Sequence, residues 1–269
     1  MAFAPAPLIE IPARQALPYG LFSVLIFRPD AGVRWANGVR WEGGTCDPAR
    51  GIGDVDCDPA TPTTGLPKDL SFDSNWGAAT PFLVYGVWAC SPVSASPERA
   101  AELATAHLLA REEARVEQAL WTGDLGNKPN LVAEVTAAGA GATVTGSDIK
   151  AAVAELEYAL GRRYGSLGVM HAPRNIASRM LTEGIAEVSG GRIRTKLGTP
   201  VVAGAGYPDQ DRIIGTAPLF GWRSEVFAPE NADGVGAVFD QRQNDLVAVA
   251  ERSYLLGFDT CGVSAATIP

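Results

Sequence analysis

The sequence predicts an α+β fold, and three observations carry that expectation. A long helical signal runs from Ser96 to Gly123. The segments after it mix helix and strand patterns without a regular strand–helix–strand repeat. The region before it is rich in Gly, Pro, Asp and Trp and reads as too irregular to close a core alone.

Taken in order, residues 1–19 carry Pro5, Pro7, Pro12 and Pro18, which forbid a continuous helix and favour an extended arm. Leu21–Phe27 (LFSVLIF) reads as a strand stopped by Pro29-Asp30-Ala31-Gly32. Val33–Trp41 places Val33, Trp35, Val39 and Trp41 on one alternating face, broken by the turn signal Asn37-Gly38. Residues 42–75 are dense in Gly, Pro, Asp and Thr, and a structureless loop of that length is unusual inside a compact domain. They read as a projecting loop or hairpin that meets another subunit. Thr80–Cys90 returns as a strand through Phe82, Val84, Tyr85, Val87 and Trp88.

The helix follows. Ser96 caps it, Pro97 suits its first position and Glu98 complements the positive end of its dipole. Leu103, Ala106, Ala110, Ala114 and Trp121, widened by Leu109, Val116 and Leu120, form the expected apolar stripe. Gly123 ends a rod of roughly 35–40 Å. Residues 131–146 read as a connection. Ser147 or Asp148 caps a second helix to about Arg163, with Ile149, Val153, Leu156 and Leu160 inward. Leu167–Met170 reads as a buried strand, and Asn175–Ile185 as a third helix just after Pro173. Strands are expected at 193–196, 200–203, 212–216, 225–227 and 247–256.

Composition narrows the function. Of the 269 residues, 46% are hydrophobic and 19% charged, fewer charges than the rough quarter of an average soluble domain, which leans toward self-association. A net charge of −8 argues against a dedicated nucleic-acid binder. The longest early apolar run is far short of the roughly 20 residues that span a bilayer, and no basic leader precedes an apolar block. The expectation is a protein that folds in a cytoplasm and does not enter a membrane. Cys46, Cys57, Cys90 and Cys261 form no CxxC pair. Cys46 and Cys57 are able to close a loop, but reduced thiols are the expected state.

Catalytic patterns are weak. His107 falls near the helix stripe and reads as a packing residue, and His171 follows a strand with no GxSxG elbow in the chain. Asp54, Asp56 and Asp58 alternate like the start of a calcium loop, yet Pro59 and Gly65 stand where Gly and Glu are needed. Gly204-Ala205-Gly206 lacks the third glycine of a dinucleotide site, where Asp209 stands. Glu112, Glu113 and Glu117 read as a charged helix face, and no metal, cofactor or enzymatic activity is expected.

Against that background the chain resembles the HK97-fold major capsid proteins of tailed bacteriophages, especially those of actinobacterial phages. The resemblance rests on the order of WANGVRW (35–41), TPFLVY (80–85), EQALWTG (117–123), VMHAPR (169–174) and TKLGTPVVAGAGY (195–207). It implies an arm at 1–19, an extended E-loop hairpin with flanking strands at 20–95, and a peripheral domain with a spine helix at 96–164. An axial domain at 165–245 and a return to the peripheral domain at 246–269 complete the division. It further implies self-assembly into hexamers and pentamers of an icosahedral shell, in the virion and beforehand in the host cytoplasm. Scaffolding and portal proteins, and in some relatives a decoration protein, are the implied partners; packaged dsDNA is met only by non-specific proximity. The short arm points to a separate scaffold or to assembly without one.

Trp35, Trp41, Lys68 and Phe72 are the expected assembly contacts, with ordinary intrachain packing the competing reading for the tryptophans. Lys68 is the one lysine of the loop; some relatives cross-link such a lysine to an asparagine, but no partner is assigned here. Rival readings are an encapsulin-type nanocompartment shell, a small α+β hydrolase using His171, and a tail-tube or decoration subunit, which the long helix disfavours.

Overall fold

The computed structural model describes residues 14–29, 33–43, 46, 49, 76–90, 96–139, 142–229, 237–240, 242 and 244–268. The short β1 (Ile26–Phe27) and β2 (Val39–Glu42) lead to β3 (Trp76–Ala79) and the nine-residue β4 (Phe82–Cys90). Then come α1 (Pro97–Thr122), α2 (Leu131–Ala137), β5 (Thr143–Thr145), α3 (Ile149–Arg163), β6 (Val169–Pro173) and α4 (Arg174–Thr182). The rest is mainly strand: β7 (Ala186–Ser189), β8 (Arg192–Thr195), β9 (Pro200–Gly204), β10 (Arg212–Thr216), β11 (Phe220–Arg223), β12 (Ala237–Asp240), β13 (Asp245–Gly257) and β14 (Ser264–Thr267).

Local rules explain the helices. The Ser96 hydroxyl accepts from the Arg99 N–H, Pro97 opens the first turn, and Gly123 ends α1 in the left-handed region at φ 70°. Asp148 caps α3 through the Ala151 N–H. α2 arises inside the stretch expected to be a connection: Asn130 accepts from Ala133 N–H, and Leu131 and Val135 are buried.

Two sheets divide the core. In the first, β13 is central. β4 pairs along one edge of it (Leu246↔Cys90 to Tyr254↔Phe82), while β12 and β11 share the other edge, with β1 parallel to β11. α1 lies across β4 and β13. The second sheet has the order β5-β14-β10-β6-β9-β8-β7. Met170, Val201, Ile213 and Ala266 turn to α3 and α4, whereas Val169, Val202, Ile214 and Ala265 join the core around α1. The central strands of this sheet are therefore covered on both faces. A separate antiparallel pair, β2–β3, packs on the first sheet without joining it by hydrogen bonds.

Several expectations change. Leu21–Phe27 is a 3-10 turn (Leu21–Ser23) followed by the two-residue β1, because the Leu21 and Phe22 N–H groups bond to glutamates of α1 instead of to a strand. Val33–Asn37 is also a 3-10 turn, ending at Gly38, where φ is 92°. At 225–227 only an isolated bridge, Phe227↔Glu251, forms, and the strand lies earlier, at β11. The buried face of α1 is Ala100, Ala104, Leu108, Glu112 and Val116, with Glu117, Ala119, Leu120 and Trp121; Ala106 and Ala110 are exposed. Val116, Leu120 and Trp121 of the expected stripe are on the buried face, but two carboxylates share it, so over the first half of the helix hydrophobicity alone pointed to the wrong side. α3 packs on the second sheet, β11 and β12 pair within the first, and β14 joins the second.

Candidate functional site

The first sheet presents an apolar outer surface. Along β4, Phe82, Val84 and Gly86 are buried toward α1, so Leu83, Tyr85 and Val87 face the other way, opposite Ser253, Glu251 and Val249 of β13. At the β11 end, the hairpin and the 33–37 turn cover this outer surface: Trp35, Ala79 and Leu255 form a small core, and Trp41 sits edge-on to Phe220 at 5.0 Å. Away from β11 it is open on both sides of β13. On β4, Tyr85 is 63% exposed, with Leu83 and Val87 also exposed; across β13, Val238 of β12 is 62% exposed and Phe227, bridged to Glu251, 59%. A run of apolar side chains on one open sheet face is the signature of a surface that another molecule covers.

Of the four expected contact residues, Trp35 is only 7% exposed and is taken up by its own chain, which is the competing intrachain reading. Trp41 is half-buried against Phe220. Lys68 and Phe72 lie outside the described residues, as do the Asp54–Asp58 motif and residues 1–13 of the arm. The open-face residues were missed although a signal existed. β4 carries no charged side chain from Phe82 to Ala89, where a one-sided sheet ordinarily alternates with charged or strongly polar residues.

The glutamates of α1 form a second constellation rather than a solvated face. Glu112 accepts from Arg252 at 3.0 Å and from the Tyr254 hydroxyl at 2.7 Å, both on β13. Glu113 accepts from the Phe22 N–H at 2.8 Å. Glu117, 1% exposed, accepts from the Leu21 N–H at 3.0 Å and the Gly206 N–H at 2.8 Å. Gly206 fits there only because it lacks a Cβ, which would lie 1.8 Å from the Ala114 carbonyl oxygen. Burial pushes the Glu117 carboxyl up to about 7 against the pull of those N–H donors, and burial raises Glu113 as well.

His171 is fully buried. Thr216 donates its hydroxyl to the Ala217 carbonyl, so it accepts from His171 Nε2–H at 3.0 Å, which leaves Nδ1 to accept from the Tyr207 hydroxyl at 2.8 Å. Burial lowers the imidazole to about 3, so it stays neutral. With both nitrogens occupied and no exposed surface, this histidine is part of the packing and meets no substrate. His107 is exposed, not in the stripe, and contacts the Val87 carbonyl.

Cys46 is disulfide-bonded to Cys261, 215 residues away, which corrects the expected free thiols at these two positions and the Cys46–Cys57 alternative. The reason is packing. The Trp41 ring lies over Gly257, which brings the segments just past β2 and β13 together. Among the described residues no group of three His, Cys, Asp or Glu is placed to hold a metal, and no helix is long and apolar enough to cross a membrane.

No family model and no curated protein sequence matches the chain. Solved structures do. The capsid of a native GTA particle superposes with a TM-score of 0.62 at 14% identity, over 99% of this chain and 95% of that one. A protein of Microbacterium phage Oxtober96 gives 0.60 at 12% identity, again over 99% and 95%. The chain has the HK97-like capsid fold. A third structure with this fold, the holo-SrpI encapsulin complex of Synechococcus elongatus, gives 0.56 at 13% identity over 99% of this chain and 92% of that one. The α+β class read from the sequence holds.

Proposed function

We propose that this chain is the major capsid protein of a tailed phage, assembling with copies of itself into hexamers and pentamers of an icosahedral shell around dsDNA. The observation that carries this reading is the likeness over 99% of the chain to a GTA capsid, joined to the open apolar face of β4. In this reading α1 is the spine helix and the first sheet belongs to the peripheral domain. The second sheet belongs to the axial domain, and β2–β3 is the root of the E-loop. Lys68 and Phe72 are carried forward as loop contacts, Trp41 as a contact at the hairpin root. Many modest burials across copies then sum into a stable closed shell. Scaffold, portal and decoration proteins are its further partners, its place is the virion, and its role is structural.

The encapsulin reading is kept alongside because the SrpI complex shares the fold over nearly the whole chain. Electron microscopy of size-fractionated protein at low and high concentration tests both. Closed shells or five- and six-membered rings are expected. DNA-filled heads formed with the portal select the phage reading, whereas protein cargo selects the nanocompartment. A uniform monomer or dimer at every concentration, with scaffold supplied, overturns both.

A further inference from the structure

We propose that the free edge of β4 accepts an added strand, and that this strand is residues 8–11 of a second copy of the chain. The proposal rests on the capsid reading, which supplies that copy. The register shows which backbone groups of β4 are free. Glu251 exchanges both backbone hydrogen bonds with Phe227, and the Ser253 carbonyl accepts from Ser224, so these two residues of β13 point away from β4. The alternate residues Ala248, Ala250 and Arg252 therefore turn to β4, where they meet Trp88, Gly86 and Val84. The N–H and C=O groups of Leu83, Tyr85, Val87 and Ala89 are left on the far edge.

Among the described residues nothing accepts from those four N–H groups, and of the four carbonyls only that of Val87 is engaged, by His107 Nδ1–H at 3.2 Å. A carbonyl has a second lone pair, so Val87 still accepts from an incoming strand. Natural sheets protect such an edge with charge, proline or a bulge. β4 has none of these: FLVYGVWAC carries no charge and no proline, and its nine pairs with β13 run without a break. The exposed side chains of Leu83, Tyr85 and Val87 lie along the same stretch. Edge and face together fit an extended apolar segment that bonds through its backbone.

The chain carries such a segment outside the described residues. Residues 8–11 read Leu-Ile-Glu-Ile, and Pro7 and Pro12 bound them as the ends of a short strand. Period two puts Ile9 and Ile11 on one side, which suits the apolar outer face, and Glu10 on the other. Residues 50–75, dense in Gly, Pro and Asp, offer no comparable run. Length and position favour a second copy. The Pro18 and Tyr19 carbonyls bond to Arg174 and Ala203, on the second sheet, whereas β4 edges the first. The residues before Arg14 span up to about 43 Å when extended, enough to cross to a neighbour.

Hydrogen exchange of the full-length chain, as dissociated subunits and as assembled shells, is the test. The amides of Leu83, Tyr85, Val87 and Ala89 are expected to exchange freely in the subunit and to gain about 100-fold protection or more in the shell. Those of Val84, Gly86 and Trp88, already bonded to β13, serve as the reference. Ile9→Pro with Glu10→Pro removes an edge-facing donor in either register, so its shells should lose the gain. Shells whose edge still exchanges freely, subunits whose edge is already protected, or variant shells with the gain intact overturn the proposal and leave the capsid reading standing. A wild-type chain that forms no shells overturns both. Should the variant form none, electron microscopy of wild-type shells decides: residues 8–11 of a neighbour beside β4 support the proposal, and any other segment there, or a bare edge, overturns it.

Discussion

The two sheets are built from similar residues and end up in different surroundings. In the second sheet, β6 is buried at every position because α3 and α4 lie on one face and the core around α1 on the other. In the first sheet, β4 is as apolar as β6, yet Leu83, Tyr85 and Val87 face outward with no described element over them. An apolar run therefore reports that both faces are meant to be covered, not that the chain itself covers them. For β6 the cover is intrachain; for β4 we assign it to assembly.

Substitutions at matched positions separate these cases. The largest expected loss is at the inner face of the first sheet. Glu112→Ala strands Arg252, whose side chain is 11% exposed, and should cost about 3–5 kcal/mol in urea unfolding. Ile214→Ala, on the twice-covered sheet, is expected to cost about 2–5 kcal/mol by the same measurement. Cys46→Ser releases the clip between the hairpin root and the turn after β13. A loss of roughly 2–4 kcal/mol is expected, and wild type melted in reductant should match the variant. The smallest effect on the subunit is expected from Tyr85→Ser with Val87→Ser, within about 0.5 kcal/mol for each exposed site. The same pair should abolish shells in electron micrographs. A pair that unfolds the subunit instead would make β4 an ordinary core strand and remove the contrast.

Much of this fold was legible because it obeys short-range rules. Ser96, Pro97 and Gly123 bracket α1, Asp148 opens α3, and the apolar runs at β6, β9 and β10 lie within a few residues of the expected strands. The strands β7, β12 and β14 were not anticipated, since SAAT or AEVS has no pattern that outweighs its neighbours. The candidate surface was half legible. TPFLVY stood out as a strand, but which of its faces would remain open depends on where α1 lands. The glutamates were misread for a similar reason: a buried carboxylate looks like a solvated one until its donors arrive from elsewhere.

The sequence by itself determined α1, α3 and α4, the caps of α1 and α3 and the buried strands β6, β9 and β10, because capping, proline placement and periodicity act over a few residues. Tertiary structure decided which side of α1 is buried and that Trp35 is enclosed. It also decided that His171 is sealed and that Cys46 meets Cys261. Each of those outcomes needs groups brought together across long stretches of chain, 89 residues for Glu117 and Gly206 and 215 for the disulfide. No local preference encodes such a meeting; it follows only once two sheets and one helix have closed on each other.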